Sequence, residues 1–235
     1  MKTIVCKDSL KASFEAFNIL KSNFDSLRVL GLATGSSPLG LYNLMIEDYK
    51  EGKHSYQNII SFNLDEYVGL SKDHKNSYHY FMQEQLFRHI NLKEYHLPNN
   101  EGNLEANCLE YEALIKANPI DIQILGVGRN GHIGFNEPFT SFASETHVVD
   151  LAISTRKDNQ RFFEAGAVPR QAITMGLKTI MNSHKIILLA FGISKREALK
   201  HLVEGEINEE WPVTILQKHP DVTLICDTEA WFKCL

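Results

Sequence analysis

The sequence predicts an α/β fold, a doubly wound and mostly parallel sheet of Rossmann-like type with helices on both faces, formed by residues 1–235 as one domain. Three observations predict it. Apolar runs rich in β-branched residues recur at 3–5, 28–32, 59–64, 120–125, 147–151, 185–191 and 222–226, and most are separated by stretches with helical spacing. The runs are continuous rather than alternating, as strands covered on both faces require. Finally, 235 residues are enough for one large core, and no segment reads as a linker, internal repeat or low-complexity tract.

Individual elements follow from local pattern. The run 28–32 leads into Ala33-Thr34-Gly35-Ser36-Ser37-Pro38, where Ser37 is expected to cap a helix whose first residue is Pro38. Leu39, Tyr42, Leu44, Met45 and Ile46 then fall largely on one helical side, and after Ser77 so do Phe81, Met82, Leu86, Phe87 and Ile90. Both stretches read as helices covering a sheet.

Composition narrows the class. Hydrophobic residues at 43% and charged residues at 23% are ordinary for a soluble globule, and no apolar run reaches membrane-spanning length. The first residues form too short an apolar run for a signal peptide, and the four cysteines lack C-x-x-C spacing, so reduced thiols in a cytoplasmic protein are expected. A net charge of -5 offers nucleic acid no long-range attraction. Ten histidines show no metal-ligand spacing, and no metal is expected.

Four constellations can carry chemistry. The turn Thr34-Gly35-Ser36-Ser37 presents backbone N–H groups, hydroxyls and a helix N-terminus to an anion, phosphate above all, although the pattern and lysine of the nucleotide P-loop are absent. Alone, it is equally a plain capped turn. In Asn63-Leu64-Asp65-Glu66-Tyr67 two carboxylates follow an apolar strand; adjacent residues there face opposite ways, and a desolvated Asp65 would be a stronger base. The loop Gly126-Val127-Gly128-Arg129-Asn130-Gly131-His132-Ile133-Gly134-Phe135-Asn136-Glu137-Pro138 places His132, suited to proton transfer, near Asn130 and Glu137. Its G-x-G-x-x-G spacing is a poor dinucleotide fingerprint, because Gly and Pro interrupt the helix such a site needs. Arg161 and Lys195 could each pair with a phosphate.

Taken together, Leu32 to Pro38, Phe62 to Leu70, Gly126 to Pro138 and Asn159 to Phe163 resemble, in order, the glucosamine-6-phosphate deaminase family. The resemblance implies conversion of glucosamine 6-phosphate and water to fructose 6-phosphate and ammonia in amino-sugar catabolism, with no cofactor. It implies that His132, held by Asn130 and Glu137, opens the sugar ring and that Asp65 moves a proton from C2 to C1. Thr34, Gly35, Ser36, Ser37, Arg161 and Lys195 would bind the substrate phosphate.

Two departures stand out. Many longer members carry Asp where this chain has Asn130, and an amide can orient an imidazole but cannot stabilise its charge. The region that holds basic effector-binding side chains in the allosteric hexamers carries His147 and Val149, and the chain ends at Leu235. The expectation is therefore an unregulated monomer or low-order homo-oligomer. Two other readings compete: a phosphogluconolactonase-like hydrolase of similar fold, and a non-catalytic sugar-phosphate sensor. The sensor is disfavoured because no helix-turn-helix segment or basic face accompanies the domain.

Overall fold

The computed structural model describes residues 1–151, 156, 160, 163 and 168–233. The chain runs β1 (Lys2–Cys6), α1 (Ser9–Ser22), β2 (Val29–Leu32), α2 (Leu39–Lys50), β3 (Ile60–Asn63), β4 (Asp65–Tyr67), α3 (Tyr78–Gln85), β5 (Glu94–His96), α4 (Leu104–Ala117) and β6 (Ile122–Gly126). It continues through β7 (His147–Asp150), β8 (Gln171–Thr174), α5 (Leu177–Met181), β9 (Lys185–Ala190), α6 (Arg196–Glu204) and β10 (Val222–Asp227). Among the described residues, seven strands form one sheet in the order β1-β10-β9-β6-β2-β3-β5. Every neighbouring pair in it is parallel.

This order reverses at β2. From β2 the chain builds outward through β3 and β5, then returns to the other side of β2 as β6 and proceeds to β9 and β10. The crevice beyond the carboxyl ends of β2 and β6 is thus the topological switch point, where open parallel sheets bind ligands.

Strand parity explains the continuous apolar runs. Ile187, Leu189, Ile122, Ile124 and Ile225 pack on one face with Ala12, Ala16 and Leu20 of α1 and Leu41 and Met45 of α2. Their neighbours Ile186, Leu188, Leu125, Leu224 and Cys226 pack on the other with Tyr111 and Ile115 of α4, Leu177 and Ile180 of α5 and Leu199 of α6. With both faces covered, each successive side chain must be apolar. Buried polar exceptions include Ser61 and Asn63 of β3 and, where β2 meets β6, Gln123, fully buried opposite its register partner Gly31. A Cβ on Gly31 would lie 2.0 Å from Gln123 Oε1, so the glycine leaves the space that the amide fills.

The structure differs from sequence expectation in three places. The run 147–151 does not join the main sheet; β7 is only half-buried and pairs antiparallel with β8, which pairs antiparallel with β4. The run 59–64 breaks after Asn63, because the Leu64 N–H donates to the Leu32 carbonyl and the Leu64 carbonyl accepts from the Met175 N–H, turning the chain from one sheet into the other. Pro38, not Ser37, caps α2, with no side-chain cap bond, and the helix begins at Leu39.

Glu112 of α4 seats the smaller sheet. Its buried Oε2 accepts hydrogen bonds from the Thr146 N–H (3.0 Å), the Thr146 hydroxyl (2.7 Å) and the Thr179 hydroxyl (2.8 Å), joining α4 to the segments that enter β7 and form α5. Glu112→Ala would leave these donors buried without their acceptor. A loss of about 3 kcal/mol is expected, read in calorimetry as a fall in Tm of about 6–12 °C; an unchanged Tm would show that the seat does not depend on this carboxylate.

Candidate active site

Both turns singled out in the sequence open into the switch-point crevice. Gly35 adopts φ +89°, outside the comfortable range of residues with a Cβ, and so bends the chain out of β2. Ser37 approaches the end of β6, its Oγ lying 3.8 Å from where a Cβ on Gly126 would be. Lys195 is on the same edge of the sheet, in the single turn Ile193–Lys195 that follows β9, the strand beside β6. That turn is pinned by the Gly192 N–H, which donates to both carboxylate oxygens of Asp227 at 3.0 Å. Arg161 lies outside the described residues.

The loop after β6 is shaped by close approach. The Gly128 N–H donates to the His132 carbonyl and the Gly131 N–H to the Gly128 carbonyl, which folds the imidazole back over Gly128. A Cβ there would stand within 2.4 Å of three ring atoms, so only glycine admits the ring in this position. Outside the turn, Trp211 packs against Gly131 and the Val213 N–H donates to the Gly131 carbonyl at 2.8 Å. Further on, the buried Asn136 amide donates to the Ile133 and Met175 carbonyls at 2.9 and 2.8 Å, tying the loop to the end of β8.

Asn130 engages Glu137 rather than the imidazole. Its Nδ2 donates to Glu137 Oε2 at 2.8 Å, and its Oδ1 receives the His132 backbone N–H at 3.4 Å. The imidazole Nδ1 is 3.6 Å from the same Glu137 oxygen, in ion-pair range but beyond hydrogen-bonding distance. Nδ1 is buried and finds no hydrogen-bond partner among the described residues. With its side chain 27% exposed, the ring still reaches the crevice. Such an imidazole, flanked by a carboxylate, can exchange a proton with a ligand.

The two adjacent carboxylates are treated oppositely. Glu66 accepts hydrogen bonds from the backbone N–H groups of Tyr67 (2.9 Å), Tyr78 (2.8 Å) and His79 (2.8 Å). Ser77 accepts the next one, from Tyr80, at 3.0 Å, so the free N–H groups of α3 are spent on Glu66 and its cap. Burial still raises the Glu66 carboxyl above its ordinary range, opposed by those bonds. Asp65 faces the other way, its Oδ2 lying 3.3 Å from where a Cβ on Gly134 would be. Burial, and secondarily the charge of Glu66, hold its carboxyl well above the usual range. A carboxylate so desolvated binds a proton avidly. Gly134, at φ +58°, is the point where the His132 loop and Asp65 meet.

Among the described residues, no group of three or more His, Cys, Asp or Glu side chains is gathered as a metal ion would need, and no helix is long and apolar enough to cross a membrane.

The family model described as glucosamine-6-phosphate isomerases/6-phosphogluconolactonase matches residues 25–225. The chain belongs to this family. A glucosamine-6-phosphate deaminase of Lactobacillus johnsonii is 53% identical over 99% of this chain and 97% of its own length. One from Mycoplasma mycoides is 49% identical over 99% and 97%. A solved monomeric glucosamine-6-phosphate deaminase covers 98% of each chain at 46% identity with a TM-score of 0.94. The 6-phosphogluconolactonase of Leishmania guyanensis covers 97% of each chain with a TM-score of 0.79 at 19% identity, a likeness of fold alone.

Sequence reasoning missed the family member's third contributor to this junction, Thr174. Its hydroxyl receives the Phe135 N–H at 3.2 Å, and a Cβ on Gly134 would lie 2.9 Å from it. Gln171-Ala172-Ile173-Thr174 is short, and only tertiary pairing with β4 brings it here.

The raised Asp65 carboxyl has a consequence for stability. A group that holds its proton more tightly in the folded than in the unfolded state makes ionisation costly to folding as pH climbs from its unfolded toward its folded value. Asp65→Asn is therefore expected to melt above the wild type at neutral pH, with the gap closing as pH falls to about 4. Calorimetry across that window checks it, and a gap independent of pH would contradict the desolvation of Asp65.

Proposed function

We propose that this chain, acting as one α/β domain, converts glucosamine 6-phosphate and water to fructose 6-phosphate and ammonia. The observation that carries the reading is a desolvated carboxyl, Asp65, meeting the His132 loop at Gly134 beside the Thr34–Ser37 turn. Relatives that are about half identical along nearly the whole chain and carry the deaminase name support it.

Thr34, Gly35, Ser36 and Ser37, with Arg161 and Lys195, hold the substrate phosphate, and this remote binding fixes C1 and C2 against the base. His132 takes the proton of the anomeric hydroxyl and delivers one to the ring oxygen, opening the pyranose. Glu137, oriented by Asn130, steadies the imidazolium that forms in between. Asp65 then removes the C2 proton as the C1 carbonyl oxygen gains one, giving an enediol-like intermediate. Return of the proton to C1 leaves an imine at C2, and water replaces its nitrogen as ammonia. Electrons are redistributed only between C1 and C2, so no redox cofactor is needed, and no metal takes part. The enzyme works in the cytoplasm as a monomer or low-order homo-oligomer.

The lactonase-like alternative shares the family description and the fold, at 19% identity to the Leishmania guyanensis lactonase against about 50% to the deaminases, and a sensor would not need a desolvated base. Purified protein incubated with glucosamine 6-phosphate in excess chelator is expected to release ammonia and fructose 6-phosphate in equal amounts. Binding without release would favour the sensor. Asp65→Asn should abolish exchange of the C2 hydrogen with solvent deuterium, followed by NMR; exchange at the wild-type rate would remove Asp65 from the role of base.

A further inference from the structure

The segment 208–214, between α6 and β10, grips the His132 loop on both sides of the pair formed by His132 and Glu137. Ahead of the pair, the Val213 N–H donates to the Gly131 carbonyl at 2.8 Å, and the Trp211 ring stands 2.9 Å from where a Cβ on Gly131 would be. Gly131 directly precedes His132 and adopts φ +80°, so this grip fixes the direction in which the backbone delivers the imidazole. Behind the pair, the Glu209 carbonyl accepts the Phe139 N–H at 2.6 Å, and the Glu209 carboxylate accepts the Phe142 N–H at 3.0 Å. Phe139 holds φ +71°, uncommon for a residue with a bulky side chain, and with its ring 75% exposed packing does not impose that angle. Its turn closes on Glu137, whose carbonyl accepts from the N–H and the hydroxyl of Thr140 at 3.0 and 2.7 Å. Holding Phe139 therefore holds the backbone of Glu137.

A brace must be stiffer than what it holds, and the segment is tied to itself. The fully buried Thr214 receives the Asn208 N–H on its hydroxyl at 3.1 Å and lies 2.7 Å from the Trp211 carbonyl, while Asn208 Oδ1 accepts the Trp211 N–H at 3.1 Å. Pro212 between them fixes its own φ. One face of the Trp211 ring is covered by the His201 imidazole of α6, 3.9 Å away and 11° from parallel. The pair itself is joined more loosely: His132 Nδ1 and Glu137 Oε2 are 3.6 Å apart, and Nδ1 has no hydrogen-bond partner among the described residues. With no bond inside the pair, its spacing is set by the backbone that carries it.

We propose that Trp211 is a positioning residue for opening of the sugar ring: acting through Gly131, and together with Val213 and Glu209, it braces the loop on both sides of His132 and Glu137 and sets their spacing. This rests on the function proposed above.

The test compares Trp211→Leu and Trp211→Phe with the wild type, on glucosamine 6-phosphate and on its reduced acyclic form, 2-amino-2-deoxyglucitol 6-phosphate, which binds with no ring to open. Titration with the acyclic compound counts the folded sites, so kcat is expressed per site. Trp211→Leu is expected to lose about 10- to 100-fold in kcat, because displacing a reacting group by about 1 Å costs that much, with KM and affinity for the acyclic compound within about threefold of wild type. Trp211→Phe keeps an aromatic ring between Gly131 and His201 and should stay within about threefold of the wild-type kcat. With substrate deuterated at C2, the isotope effect on kcat/KM should be no larger in Trp211→Leu than in the wild type, since slower ring opening masks the later proton transfer. An unchanged kcat in Trp211→Leu overturns the proposal, as does an equal loss in Trp211→Phe. A parallel loss of affinity for the acyclic compound overturns it too, and so does a larger isotope effect, which would place the defect at Asp65. Should Trp211→Leu not fold, Glu209→Ala, which removes the Phe142 contact alone, is expected to show the same split at about 3- to 10-fold in kcat, and its absence overturns the proposal equally. A wild type inert toward glucosamine 6-phosphate would instead refute the proposed function.

Discussion

Everything else in the site is arranged around one buried charge, the carboxyl of Asp65. Such a group is costly in a folded protein, and the backbone N–H groups of Tyr67, Tyr78 and His79 go to its neighbour Glu66 instead. The chain reaches this position by leaving the parallel sheet at Leu64 and starting β4 in the smaller antiparallel one. Adjacent residues of β4 then point to opposite sides, so one carboxylate anchors a helix while its neighbour is left desolvated. A stable scaffold with a strained centre is the pattern expected when a site is built for reactivity rather than for stability.

Glycine does for the imidazole what the sheet break does for the carboxylate. Gly128 lets the His132 ring fold over the backbone, and Gly134 lets the loop close against Asp65 and Thr174. Side chains that belong to different strands reach one crevice because backbone is brought where a Cβ would otherwise stand. The partners of that loop are polar: the buried Asn136 amide bridges two carbonyls, and the half-buried Asn130 holds Glu137.

Much of this was legible in the sequence. Continuous apolar runs identified the parallel strands, because burial on both faces leaves no room for alternation. Thr34 to Ser37, Asp65, Asn130, His132 and Glu137 were legible because glycine turns and polar groups directly after such runs have few other reasons to occur together. The small sheet was harder to see: β4 is three residues long and β8 four, too short for a period to develop, and β7 resembled a strand of the main sheet.

The sequence by itself determined the fold class, the family and the chemical types present in the candidate site, since periodicity and residue identity are local properties. Tertiary structure alone decided which carboxylate is desolvated, that Asn130 serves Glu137 rather than the ring, and that Thr174 joins the loop at Gly134. Those outcomes depend on which face of a strand meets solvent, a helix N-terminus or another strand, and that is settled only when distant segments pack.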